Sequence, residues 1–176
     1  MTATWRQLAI ILPLAAAMPA FCAGCGWEPL YANRETSATA ADLSTITVSP
    51  ISDRIGQQLE FALRDSLNPS HETAKPLYTL VVTLSKSLYD SGIQSQGLGT
   101  RGDINLGATY QLVENATHKI VQTGSVHASD SFDIQANGYS TIVAQNDATT
   151  RDIEEVRREI VVRLTLFMQS KGAAAS

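Results

Sequence analysis

The sequence has little cysteine: two in 176 residues, Cys22 and Cys25, both near its start. A disulfide scaffold is excluded, and a C-x-x-C redox pair is the weaker reading because a cut between the two removes one partner. The three histidines, His71, His118 and His127, stand at no metal-ligand spacing from one another. Positive charge is also scarce. Lys and Arg number 13 against 17 Asp and Glu, a net charge of −4, which excludes attraction of nucleic acid by bulk electrostatics. It also opposes an anionic ligand, so any such site must rest on a few local cations. No long apolar run is present either. Leu8 to Ala17 is interrupted by Pro13 and falls short of the roughly 20 residues a membrane helix needs. No G-x-S-x-G elbow occurs, and the carboxylates stand beside arginines at helical spacing instead of forming an acid/base pair. These absences leave no catalytic constellation, and the expectation is a protein that is not an enzyme.

What is there begins with Arg6, the apolar run, and small residues ending at Cys22-Ala23-Gly24-Cys25. One positive charge, a short apolar stretch and small residues before a cut are the parts of a secretory signal. Ala23 and Gly24 suit a lipoprotein signal peptidase, and Cys25 is the acceptor whose thiol takes the lipid; Cys22 follows bulky Phe21 and suits it less. Residues 1–24 are therefore expected to be removed. The expected modification is a covalent N-terminal diacylglycerol and N-acyl lipid on Cys25, with no other cofactor. Each buried methylene contributes about 0.8 kcal/mol, so two or more chains hold a protein firmly on a bilayer. Gly26 follows, and no aspartate stands there to retain the protein at the inner membrane, so the outer membrane is the expected address. Loss of Arg6 leaves a net charge near −5.

Residues 25–42 read as lipidated N-terminus and tether, 43–170 as a periplasmic domain and 171–176 as a frayed tail. Ile46 to Val48 is a short strand candidate, and Ser49-Pro50 offers a helix start by hydroxyl cap and first-turn proline. Ile55, Leu59, Ala62, Leu63 and Leu67 recur at helical spacing up to Asn68-Pro69. Tyr78, Leu80, Val82 and Leu84 alternate with Thr79, Val81, Thr83 and Ser85, as do Ile104, Leu106, Ala108, Tyr110 and Leu112 with Asn105, Gly107, Thr109 and Gln111; both are strands. Glu114 to His118 is a turn, and Lys119 to Phe132 completes a hairpin. Tyr139 to Gln169 reads as a long helix, with Arg151–Glu155, Glu154–Arg158 and Glu159–Arg163 as four-residue charge pairs. The expected fold is α+β: a two-layer α/β sandwich, a four-stranded mixed sheet covered on one face by two helices, order β-α-β-β-β-α. The first strand–helix–strand unit should be parallel and the rest antiparallel.

Two motifs are set aside. Gly97-Leu98-Gly99-Thr100-Arg101-Gly102 spells G-x-G-x-x-G, but an alternating strand follows where a nucleotide site needs a helix. It reads as a hairpin connection. Asn115-Ala116-Thr117 matches a glycosylation sequon by chance. His127 reads as a sheet-surface residue.

Ala23-Gly24-Cys25-Gly26-Trp27, followed by Glu28-Pro29-Leu30-Tyr31, resembles the start of mature LPS-assembly lipoproteins of the LptE family, and the element order through residue 169 resembles theirs. The resemblance implies a plug inside the outer-membrane β-barrel LptD, which helps that barrel assemble and contacts lipopolysaccharide. It further implies basic residues meeting the lipid's phosphates. One position falls on Arg101, whose planar fork suits phosphate oxygens; the other reading is a solvated loop arginine near Asp103. The second position falls on Gln145, which keeps hydrogen bonding without charge, and Lys86 and Lys119 are the cations that could compensate. The rival function is an auxiliary lipoprotein of another envelope lipid transporter.

Overall fold

A computed structural model of the chain describes residues 40–71, 73–93 and 99–175, all within one compact unit, Ser37–Ser176. The signal segment, Cys25, most of the tether, and Gly97 and Leu98 of the glycine motif lie outside the described residues. A helical turn over residues 40–44 leads into β1 (Ile46–Val48), α1 (Asp53–Leu67), β2 (Tyr78–Ile93), β3 (Gly99–Glu114), β4 (Lys119–Asp133) and α2 (Gly138–Ala175). The sheet order is β1-β2-β3-β4, with β1 parallel to β2 and the other pairs antiparallel. This is the expected α+β architecture, with the turn over 40–44 added.

Period-two patterning decides which face is covered. On β3, Ile104, Leu106, Ala108, Tyr110 and Leu112 are each at most 1 % exposed, whereas their odd-numbered neighbours are half-buried or exposed. The helices supply Leu59, Leu63 and Leu67 from α1 and Val156, Ile160, Leu164 and Met168 from α2 to the same core. Each such aliphatic side chain contributes roughly 1.5–3 kcal/mol when fully buried. The opposite face carries Thr79, Thr83, Asn105, Thr109, Gln111, Thr123, Ser125 and exposed His127, with Val81, Tyr89 and Ile120 exposed among them, and is uncharged over most of its length. Two cross-strand pairs fix the register of β3 on β4: Tyr110 opposite Gly124, and Phe132 opposite Gly102. A Cβ on Gly124 would meet the Tyr110 hydroxyl at 2.6 Å and its ring at 2.7 Å, and one on Gly102 the Phe132 ring at 2.3 Å. Each aromatic ring fills the space its glycine partner leaves, the arrangement known as aromatic rescue.

Three local expectations are corrected. The first helix starts at Asp53, with Ser52 as N-cap and no side-chain cap bond, instead of at Ser49-Pro50. Ser49 is still in the ladder, its N–H donating to the Leu80 carbonyl (2.9 Å), and Ile51 is drawn into the core. The Ile51 N–H donates to the buried Glu60 carboxylate (3.0 Å), which also holds Arg64 at 2.7 Å; Arg64 in turn donates to the Val48 carbonyl. The chain reverses through Asp53 at φ 70°, a left-handed conformation that aspartate tolerates better than most residues. Second, α2 continues to Ala175, six residues past the expected end at Gln169. The Lys171 ammonium donates to the Tyr78 hydroxyl and lies 3.7 Å from Glu114, and the alanines beyond it are strong helix formers. Third, of the expected charge pairs only Glu159–Arg163 forms; Arg157 pairs with Glu154 and Arg158 with Glu155, while Arg151 turns to Asp147 and Asp130.

Candidate functional site

The four residues singled out in the sequence fall in three places. Arg101 is inside β3 and not in the loop before it, opposite Ser91 on one side and Asp133 on the other. Its half-exposed guanidinium stands 3.9 Å from Asp103, on the uncovered face of the sheet. Lys119 begins β4, opposite Glu114. Glu114 is thirteen positions along the strand from Arg101, roughly 40 Å at the usual strand rise, so Arg101 and Lys119 cannot share a small ligand. Lys86 and Gln145 are linked only through Thr149. Lys86 lies opposite Leu106, on the covered face, and its ammonium donates to Thr149 Oγ1 (3.1 Å). Thr149 Oγ1 donates onward to the Gln145 carbonyl (2.8 Å), the ordinary back-bond of a helical threonine.

This meeting point is one wall of a groove of about 330 Å³. The first turns of α1 contribute Asp53, Arg54, Ile55 and Gln58, β2 contributes Lys86, and α2 contributes Asn146, Thr149 and Thr150. The groove exists because α1 is short. Fifteen helical residues span about 22 Å, whereas a strand of 16 residues spans roughly 53 Å, so β2 runs on beyond the helix that covers its first half. Leu88, on the same face one pleat past Lys86, is accordingly 47 % exposed.

Behind the groove lies a charged cluster that the sequence pattern hid. Asp152 is 3 % exposed, and its Oδ2 has no hydrogen-bond partner among the described residues. Desolvation, with the neighbouring Asp130 charge adding to it, pushes its carboxyl up to about 6, while Arg151 and Lys86 act in the opposite direction. Asp130 is held below its ordinary value by the hydrogen bond from Arg151. Arg54, Asn146, Thr149 and Asp152 are polar residues of two different helices. Only the crossing of α1 and α2 over β2 brings them together, and no local signal announces it. Among the described residues no group of three or more His, Cys, Asp or Glu could hold a metal. Gly99 and Gly102 belong to a strand, so no helix N-terminus follows the glycine motif. Asn115 is occupied structurally, accepting from Thr79 and donating to the Pro76 carbonyl, which ties the β3–β4 turn to the start of β2.

The fold so defined is that of small bacterial lipoprotein domains. Solved structures that share it include a candidate lipoprotein from Caulobacter crescentus, with a TM-score of 0.61 and 22 % identity over 76 % of this chain and 97 % of that one. A minor lipoprotein from Acinetobacter baumannii aligns with a TM-score of 0.53 and 13 % identity, over 70 % of this chain and 91 % of that one. Rare lipoprotein B from Shewanella oneidensis aligns at 0.50 and 12 %, over 74 % and 97 %. At these identities the likeness is one of fold. Neither a protein-family model nor a curated protein sequence matches the chain.

Proposed function

We propose that this protein is an outer-membrane lipoprotein, acylated on Cys25, that assembles with and plugs the lipopolysaccharide-export barrel LptD and contacts lipopolysaccharide in transit. The observation that carries the reading is the coincidence, in one chain, of a lipoprotein cleavage motif at Ala23-Gly24-Cys25 and an LptE-like fold shared with lipoprotein domains over nearly their whole length. The uncovered sheet face supports it. Apart from exposed Val81, Tyr89 and Ile120, that face is mostly threonine, serine, asparagine and glutamine, which suits the polar interior of a large barrel better than an acyl chain. Arg101, on that face, is the cation this reading assigns to a lipid phosphate.

The test is affinity purification of the tagged full-length lipoprotein from detergent-solubilised outer membranes, with mass identification of what accompanies it. A large β-barrel in near-equal amount is the expected result, together with fatty-acid labelling that disappears in Cys25→Ala. Recovery of inner-membrane transporter subunits instead of a barrel would overturn the reading in favour of an auxiliary transporter lipoprotein.

A further inference from the structure

The charges of this acidic chain are mostly matched in pairs. Arg64, Arg101, Arg151, Arg157, Arg158 and Arg163 each have a carboxylate within 4.0 Å. Arg54 is the exception among the described arginines, with no carboxylate within that distance. Lys86 likewise has no carboxylate in ion-pair range; its one bond is to the neutral Thr149 hydroxyl. These two cations come from different elements, 32 positions apart in sequence, and they line the same groove. An ammonium has three donors, so the bond to Thr149 leaves two, and the planar guanidinium of Arg54 offers a fork matched to two oxygens of one anion. Asn146 and Thr150 add neutral polar atoms on the α2 wall. Asp53 is the one carboxylate in the lining, and Asp152 lies behind Lys86 without joining it in an ion pair. That composition selects for a compact group carrying enough negative charge to outweigh one exposed carboxylate.

We propose that the groove between the start of α1, β2 and α2 binds a phosphate monoester, with Arg54 and Lys86 sharing its oxygens. The site is separate from Arg101, which stands on the other face of the sheet, and it does not rest on the barrel reading. The phosphate could be free or could head a lipid. Leu88 next to Lys86, and Ile142 one turn before Asn146, are exposed apolar side chains beside the groove that would receive the first methylenes of a lipid.

The experiment follows acylation of Lys86 by a neutral amine-reactive reagent in the full-length protein in detergent, read by peptide mass, with Lys119 as internal reference. Inorganic phosphate is added alone, or phosphatidic acid or phosphatidylcholine is mixed into the micelles. Selective slowing at Lys86 by inorganic phosphate supports a site for the free ion. Slowing by phosphatidic acid, but by neither phosphatidylcholine nor inorganic phosphate, supports a lipid headgroup. In either case Arg54→Gln, an exposed position whose circular dichroism should be unchanged, is expected to raise the half-protecting concentration about tenfold. Arg158→Gln is expected to leave it unchanged. Equal labelling of Lys86 under all three conditions, or protection insensitive to Arg54→Gln, overturns the proposal. Barrel recovery with Arg54→Gln is read separately, so loss of this site and loss of the translocon reading give different results.

Discussion

The two halves of the sheet are built from the same strands and differ in what covers them. Near the start of β2, α1 and the C-terminal half of α2 close over Leu80, Tyr110 and Leu112 with an aliphatic core of Leu59, Leu63, Ile160 and Leu164. Farther along, α1 has ended. A small separate cluster of Ile104, Phe132 and Ala148 remains under the first turns of α2. Around it sit Asp130, Arg151, Asp152 and Lys86, while Leu88, Tyr139, Ile142 and Val143 are about half exposed or more. The closed half holds the fold. The open half tolerates a desolvated carboxyl and a groove between the helices and the sheet, and a domain with one well-packed end can keep such features at the other. The strands themselves are continuous through both, so the contrast originates in helix length.

The largest expected effect compares the same substitution in the two halves. Leu63→Ala, at 0 % exposure, should lower unfolding stability by about 3 kcal/mol in urea titrations followed by circular dichroism. Leu88→Ala in the open half should cost less than about 1 kcal/mol. Equal losses would mean that the groove is closed in solution and the contrast is false. A smaller effect sharpens the picture of the open half. Asp152 has a folded-state pKa raised to about 6, so the native state holds its proton more tightly than the unfolded chain does. The contribution of this group therefore falls as pH rises from about 4 to about 6 and is level above 7. Asp152→Asn should leave stability near that of the native protein at pH 4 and raise it by about 2 kcal/mol at pH 8. A variant less stable than the native protein at pH 8 would show that Asp152 is stabilised by partners and not merely desolvated. The smallest effect is expected on the solvated face of α2. Arg158→Ala breaks an exposed pair with Glu155 and should change stability by less than about 0.5 kcal/mol; a loss above 1 kcal/mol would place that face in a contact.

The core was legible residue by residue, because burial on one face of a strand forces period two and burial of a helix stripe forces rows three and four apart. Tyr78, Leu80, Val82, Ile104 to Leu112, Ile153, Val156, Ile160 and Leu164 all lie where those periods put them. The helix start at Asp53 was not legible. Ser49-Pro50 satisfies every local rule for a cap, but pairing of Ser49 with Leu80 and burial of Ile51 outweigh one capping bond. Ion-pair partners were not legible either. Arg151 abandons Glu155 for Asp130 on β4, a choice that depends on where α2 crosses the sheet.

Composition and periodicity by themselves determined the number and kind of elements from β1 onward, the parallel first pair, and which face of each strand turns inward. These follow from local stereochemistry and from the removal of apolar surface from water, both of which are written in the order of residues. The tertiary structure alone decided that Gly124 lies under Tyr110, that Lys86 meets Thr149 while Arg101 faces away, and that Arg54 is left without a carboxylate beside the same groove. Register and helix crossing set those distances, and they come from packing among segments far apart in the chain. The physical basis is range: hydrophobic patterning acts within a few residues, whereas a site is assembled from groups whose separation only the completed fold fixes.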